Sequence, residues 1–157
     1  MRRFVLYFLF AVLLTGCRRA EYSAEYKIPE TDLALGVELK QINAPLAEYE
    51  RSLIVSRAGL VFQRVALSAD IGGYSLLNLY KLSSGEYVLD YDGNPYYRID
   101  PTTGTVHAKL RGIPIGEPDR PLRETYIGAF DFDHHYVWQF FPASQRAERK
   151  VELPYAP

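Results

Sequence analysis

Potential metal ligands crowd together at one place in the sequence, Asp131-Phe132-Asp133-His134-His135. Side chains on a strand alternate between its two faces, so Asp131, Asp133 and His135 would point the same way on an extended chain. Carboxylate oxygens and imidazole nitrogens bind zinc or manganese, and the three residues could then serve a metal-dependent hydrolase. The alternative is a polar hairpin turn between two aromatic strands, which would break this alternation. We favour the turn, and we predict neither a metal site nor a cofactor.

Tyrosine is the unusual component of the chain, with 13 residues of this type. Tyrosine favours strands, and exposed tyrosines also anchor interfaces with proteins or glycans at low entropic cost. An exposed aromatic face in the middle of the chain is therefore a hypothesis for a binding site. The alternative is that these rings border the core with their hydroxyl groups in water. The candidate binding residues are Tyr80, Tyr87, Tyr91, Tyr96 and Tyr97.

Other catalytic patterns are missing from the sequence. No Gly-x-Ser-x-Gly element supplies a nucleophile elbow, and no Gly-rich phosphate loop connects a strand to a helix. The segment Asp90–Asn94 has oxygen ligands in part, but the position where an EF-hand needs glutamate is Pro101. We therefore predict a non-enzymatic binding module. A hydrolase using Asp131, Asp133 and His135 stays as one alternative, and a structural or biogenesis accessory with a ligand in a small barrel as another.

The elements that would position these residues are predominantly strands. Apolar residues alternate with small or polar ones from Leu33 to Ile42, as in a half-buried strand. Short aliphatic and aromatic runs separated by Gly, Asp and Pro turns predict hairpins after that. We expect an all-β fold, mainly an antiparallel meander, forming a small sandwich or a partly closed barrel. The predicted later strands are 52–57, 60–67, 74–82, 86–90, 95–99, 105–110, 123–132 and 136–141.

One or two short helical turns are also expected. Asn43 could cap a helix over residues 46–50, and Pro45 suits its first turn because proline has no N–H to leave unsatisfied. Residues 144–150 are the second candidate. The loops 70–73 and 112–121 contain glycine or proline and are expected at the surface.

The N-terminal segment has the three parts of a secretory signal. Arg2 and Arg3 are followed by 11 residues, Phe4–Leu14, without a charge or a proline. This run fits an h-region and is shorter than the ~20 residues that cross a bilayer core. The motif Leu14-Thr15-Gly16-Cys17 that ends it resembles the lipobox of bacterial lipoproteins.

The resemblance implies a lipid anchor. In that family the Cys17 thiol would receive a diacylglyceryl group, cleavage would fall between Gly16 and Cys17, and the new amine would be acylated. One acyl chain anchors a protein only marginally, whereas several on one residue hold it stably. The family often marks inner-membrane retention with Asp after the cysteine. Arg18 stands there, so we expect the outer membrane, facing the periplasm, if the source is Gram-negative.

Three segments follow from this interpretation: a removed signal peptide (1–16), a lipidated Cys17 with a flexible polar tether (17–32), and one β-rich domain (33–157). The mature chain would have 16 basic and 19 acidic side chains, a net charge of −3, which argues against nucleic-acid binding. It would have no free thiol, because Cys17 is the single cysteine. The expected partners are the membrane and an envelope protein or peptidoglycan, with an immunity or inhibitor role among the options.

Overall fold

Runs of alternating side chains build ten strands in the part of the chain that the structure describes. The structure is a computed structural model that describes residues 21–43, 45–68, 76–90, 96–110 and 124–148. The strands are β1 (Glu21–Lys27), β2 (Leu33–Asn43), β3 (Glu48–Arg57), β4 (Leu60–Ala66), β5 (Leu77–Leu82), β6 (Tyr87–Asp90), β7 (Tyr96–Ile99), β8 (Val106–Leu110), β9 (Glu124–Phe132) and β10 (Trp138–Pro142).

The strands form two antiparallel sheets. The four-stranded sheet has the order β1-β2-β3-β4, and the six-stranded sheet has the order β10-β9-β5-β6-β7-β8. The first sheet is a pure meander, and β5–β8 form a second meander to which the β9–β10 hairpin is added at β5. The predicted all-β sandwich is confirmed. The partly closed barrel is wrong, since no pairing between described strands joins the two sheets.

The main core lies between the two sheets, where their facing apolar sides are removed from water, and a smaller buried cluster contains Tyr80, Leu82 and Val88 of the six-stranded sheet. One continuous cluster contains Leu35, Val37 and Leu53 from the four-stranded sheet. It also contains residues of the six-stranded sheet, among them Leu79, Leu89, Ile99, Phe130 and Trp138. The indole Nε1 of Trp138 donates a hydrogen bond of 3.1 Å to the Val37 carbonyl oxygen, so the sheets are joined by a polar contact as well.

Residues 21–27, which were predicted as part of the flexible tether, form β1. Every residue of this strand pairs with β2, from Glu21 opposite Lys40 to Lys27 opposite Ala34. Tyr22 and Tyr26 point toward the core, where Tyr22 lies 5.2 Å from the Phe132 ring. Two partly buried aromatic side chains on one face explain why this polar segment joins the sheet.

The predicted helix over residues 46–50 is wrong, since the described residues contain no helix. Residues 48–50 pair with β2 instead, and Tyr49 is buried against Tyr22 and Phe132. Backbone pairing combined with ring burial outweighs the local capping signal of the Asn43-Ala44-Pro45 stretch. At the second candidate, Gln145 and Arg146 both donate their backbone N–H to the Pro142 carbonyl, which makes a single turn.

The predicted turns at Ala58-Gly59 and Asp100–Gly104 are confirmed. Both Ala58 and Gly59 have positive φ angles, 48° and 80°, as the turn of a two-residue hairpin requires. The Asp100 carboxylate accepts a 2.7 Å hydrogen bond from the backbone N–H of Thr102, which lowers the pKa of that carboxyl. The predicted loops over residues 70–73 and 112–121 lie outside the described residues.

The close approach of β9 and β10 at Gly128 supports a testable prediction. A Cβ at Gly128 would overlap the Phe141 carbonyl oxygen and lie 2.8 Å from the Phe140 ring. We expect Gly128→Ala to lower the free energy of unfolding by about 1–3 kcal/mol or more, measured by urea denaturation. Gly36→Ala is the matched control, because its Cβ would make only a 3.4 Å contact with Ile54 and its φ is not strained. A Gly128→Ala variant as stable as Gly36→Ala would contradict this packing.

Candidate functional site

The candidate metal ligands Asp131, Asp133 and His135 each have other contacts in the structure. Asp131, in β9, forms an ion pair with Arg146 and accepts a hydrogen bond from the Phe132 N–H. Asp133 lies in the β9–β10 turn, where one carboxylate oxygen accepts 2.8 Å bonds from the backbone N–H groups of His135 and Val137. Among the described residues, no group of three or more potential ligands could hold a metal ion. The favoured turn interpretation therefore accounts for these residues.

The two histidines of this turn are exposed, and their rings contact each other at a tilt. The ring centroids of His134 and His135 lie 3.8 Å apart at an interplanar angle of 46°. The backbone N–H of Val137, which binds the Asp133 carboxylate, is the main cause that lowers the pKa of that carboxyl. Through these hydrogen bonds, Asp133 stabilises the turn in which the two histidines lie.

Three of the five tyrosines that were hypothesised to form an exposed face are buried. Tyr80, Tyr87 and Tyr97 are at most 3% exposed. The Tyr80 hydroxyl donates a 3.0 Å hydrogen bond to Glu148, and the Tyr87 ring packs 6.1 Å from Tyr26. Tyr91 lies outside the described residues, and so does the side chain of Tyr96, whose backbone begins β7.

Exposed apolar side chains are the feature that the sequence interpretation missed. They concentrate at the two ends of the sandwich, which we call the Glu21 end, where β1 begins, and the Gly59 end, where the β3–β4 turn lies. The exposed large apolar residues are Ile42, Leu46, Leu60, Val61, Phe62, Tyr136 and Val137. Exposed apolar residues that lie together mark interaction sites, whereas single ones are ordinary.

The Gly59-end patch consists of Leu60, Val61 and Phe62, which are 75%, 61% and 56% exposed. These residues begin β4, the last strand of the four-stranded sheet, and no described strand pairs with its outer edge. The β3–β4 register shifts here, so that Phe62 has no partner between Val61 and Gln63. Because of this bulge, consecutive apolar residues are exposed where a regular strand would bury every second one.

Neighbouring turns hold the Gly59-end patch in place. The Arg57 guanidinium lies 5.5 Å from the centre of the Phe62 ring and donates a 3.0 Å hydrogen bond to the Thr102 carbonyl oxygen. Gly104 has a φ of 76°, and a Cβ on it would lie 3.2 Å from the Phe62 ring. The Gly59-end patch therefore packs against the β3–β4 and β7–β8 turns.

A polar concavity of about 420 Å³ lies on the outer face of the four-stranded sheet. Its lining includes Glu21, Ser23, Lys40, Glu50 and Ser52. Arg64 and Glu38 also line it, but they neutralise each other in a bidentate ion pair. The concavity therefore offers charges of both signs and more polar than apolar surface.

The comparisons with known proteins leave the chain without an assigned family. No protein-family model, no curated protein and no solved structure matches it. Within the described residues, no helix is long and apolar enough to cross a membrane. The sequence did contain one signal for the Gly59-end patch. The run Leu60-Val61-Phe62 breaks the alternation of a half-buried strand directly after a two-residue turn.

The role of Asp133 can be tested through pH. Because its pKa is lowered in the folded state, its charge stabilises the protein above the ordinary carboxyl pKa of about 3.9, and this contribution is lost as the pH falls through the folded-state pKa. Asp133→Asn keeps an acceptor oxygen but does not titrate. We expect the melting temperature of the wild type to exceed that of the variant at pH 7, with the difference shrinking in acid. His134→Ala should change the pH profile less than Asp133→Asn does, because the charge of His134 is a smaller cause of the lowered pKa than the backbone N–H of Val137. A constant difference between wild type and Asp133→Asn would contradict this role.

Proposed function

We propose that this protein is a lipid-anchored envelope lipoprotein, attached through an acylated Cys17, whose β sandwich binds a protein partner without catalysing a reaction. The lipobox-like motif supports the anchor, and the small sandwich is a suitable scaffold for an exposed binding surface. A protein of the envelope, including one that this domain would inhibit or neutralise, is the partner class that we favour over peptidoglycan.

The observation that carries the binding part of the proposal is the Gly59-end patch. Leu60, Val61 and Phe62 are each more than half exposed, on a strand edge that no described strand covers. Such an edge invites pairing or apolar contact unless a partner covers it. A protein surface offers both complementary backbone groups and apolar side chains, whereas a glycan strand would need hydrogen-bonding groups that these three side chains lack.

The anchor is tested with Cys17→Ala. We expect the wild type, produced in a bacterial host, to yield a peptide beginning at Cys17 that carries acyl groups by mass spectrometry. The variant should lose this mass and leave the membrane fraction, because the acylated thiol supplies the attachment. Thr15→Ser, which keeps a small residue at that position of the motif, should remain acylated. An unmodified or uncleaved wild-type N-terminus would refute the anchor.

The binding surface is tested by photo-crosslinking of the lipidated protein in intact cells. A photoreactive amino acid at Val61 should give discrete protein adducts, because this side chain would be covered by the partner. The same amino acid at Glu50, which is exposed in the polar concavity, serves as the matched control. Leu60→Asp should reduce the Val61 adducts several-fold, since it places a charge in an apolar contact.

The outcomes of this experiment separate the partner classes. Discrete protein adducts at Val61 but not at Glu50 would support the proposal. Adducts at both positions alike, or at neither, would refute binding through the Gly59-end patch. Material that contains no protein and is released by a muramidase would identify peptidoglycan as the ligand instead.

A further inference from the structure

We infer that the Glu21 end of the sandwich lies against the lipid surface, with its exposed apolar turns in the interface of the bilayer. This inference rests on the proposed Cys17 anchor and adds an orientation to it. The occupant of this end is the membrane to which the chain itself would be attached. The Glu21-end patch consists of Ile42 near the end of β2, Leu46 from the β2–β3 connection, and Tyr136 and Val137 from the β9–β10 turn.

The position of these turns in the fold follows from strand pairing and ring contacts. Glu21 pairs with Lys40, and Lys40 with Glu50, so β1 begins beside the β2–β3 connection. The Phe132 ring at the end of β9 lies 5.2 Å from Tyr22 and 6.0 Å from Tyr49. These ring contacts bring the β9–β10 turn to the same end of the sandwich. The start of β1 and both apolar turns therefore share one end.

The chain between Cys17 and the start of β1 is short. Only three residues, Arg18, Arg19 and Ala20, separate Cys17 from Glu21. At roughly 3.3–3.6 Å per residue, even an extended chain between Cys17 and Glu21 covers at most about 14 Å. An acylated Cys17 lies in the membrane surface, so the Glu21 end cannot move far from the lipid headgroups. The long tether that the sequence suggested would have allowed the domain to turn freely.

The surface that this geometry brings to the lipid has exposed apolar and aromatic side chains. Tyr136 is 80% exposed and Leu46 is 59% exposed, although both are large. Tyrosine is enriched at membrane–water interfaces, where its ring meets the acyl boundary and its hydroxyl meets water. Apolar side chains that enter this boundary add to a lipid anchor. Contact with the membrane thus explains why these turns expose apolar groups at the end nearest the anchor.

Spin labels can test this orientation in the lipidated full-length protein on phosphatidylcholine vesicles. The single native cysteine would be acylated, so an introduced cysteine would be the only free thiol. Labels at Leu46→Cys and Tyr136→Cys should collide more with oxygen, which concentrates in lipid, and less with a water-soluble nickel chelate. A label at Leu60→Cys, on an exposed residue of the opposite end, is the matched control and should be open to the chelate.

The outcomes distinguish the orientation from the anchor. Equal access of the chelate to all three labels, in protein that floats with the vesicles, would overturn the docked orientation and leave the anchor intact. Protein that does not float would overturn both proposals. Amide exchange of the unsubstituted protein supplies an independent check. Residues 46–47 and 134–137 should exchange several-fold more slowly on vesicles than in soluble Cys17→Ala, whereas residues 58–62 should not change.

Discussion

The contact between the two apolar sheet faces is the constraint on which the rest of the structure depends. Neither meander could keep residues such as Leu53 or Leu79 out of water alone, and in the sandwich both are completely buried. Trp138 fixes how the sheets meet, since its ring is buried and its indole N–H needs an acceptor. The Val37 carbonyl, 101 residues away in the chain, supplies this acceptor. The relative position of the two sheets determines where every turn lies.

The aromatic cluster at the Glu21 end connects this packing to the proposed function. Tyr22 and Tyr49 come from the four-stranded sheet, and Phe132 comes from the six-stranded sheet. Because Tyr22 packs into this cluster and becomes partly buried, the chain joins the sheet from residue 21 onward. The same contact that stabilises the sandwich therefore shortens the connection to Cys17 and selects the end that would face the lipid.

Much of the fold follows from local patterns, while the site does not. Alternation and turn residues were sufficient for β2, for the hairpin at Ala58-Gly59 and for the β9–β10 hairpin, because those signals lie within a few residues. β1 was missed although Tyr22, Ala24 and Tyr26 alternate with polar residues, because the polar character of this segment was interpreted as that of a flexible tether. The helix over 46–50 was predicted because its capping signal is local, whereas the pairing that replaces it joins two strands. The hypothesis of an exposed tyrosine face failed at Tyr80, Tyr87 and Tyr97, because a sequence pattern does not show which face of a strand will be covered.

The architecture also explains why the exposed apolar residues lie at the ends of this sandwich. The inner faces are used by the core, and the outer face of the four-stranded sheet carries paired charges such as Arg64 with Glu38. The turns and the strand residues beside them can expose apolar groups without disturbing either layer. The two patches are separated by the length of β3, ten residues or roughly 33 Å at about 3.3 Å per residue. A sandwich docked by its Glu21 end would therefore hold the Gly59-end patch well outside the headgroup region, where a protein in the surrounding envelope can reach it.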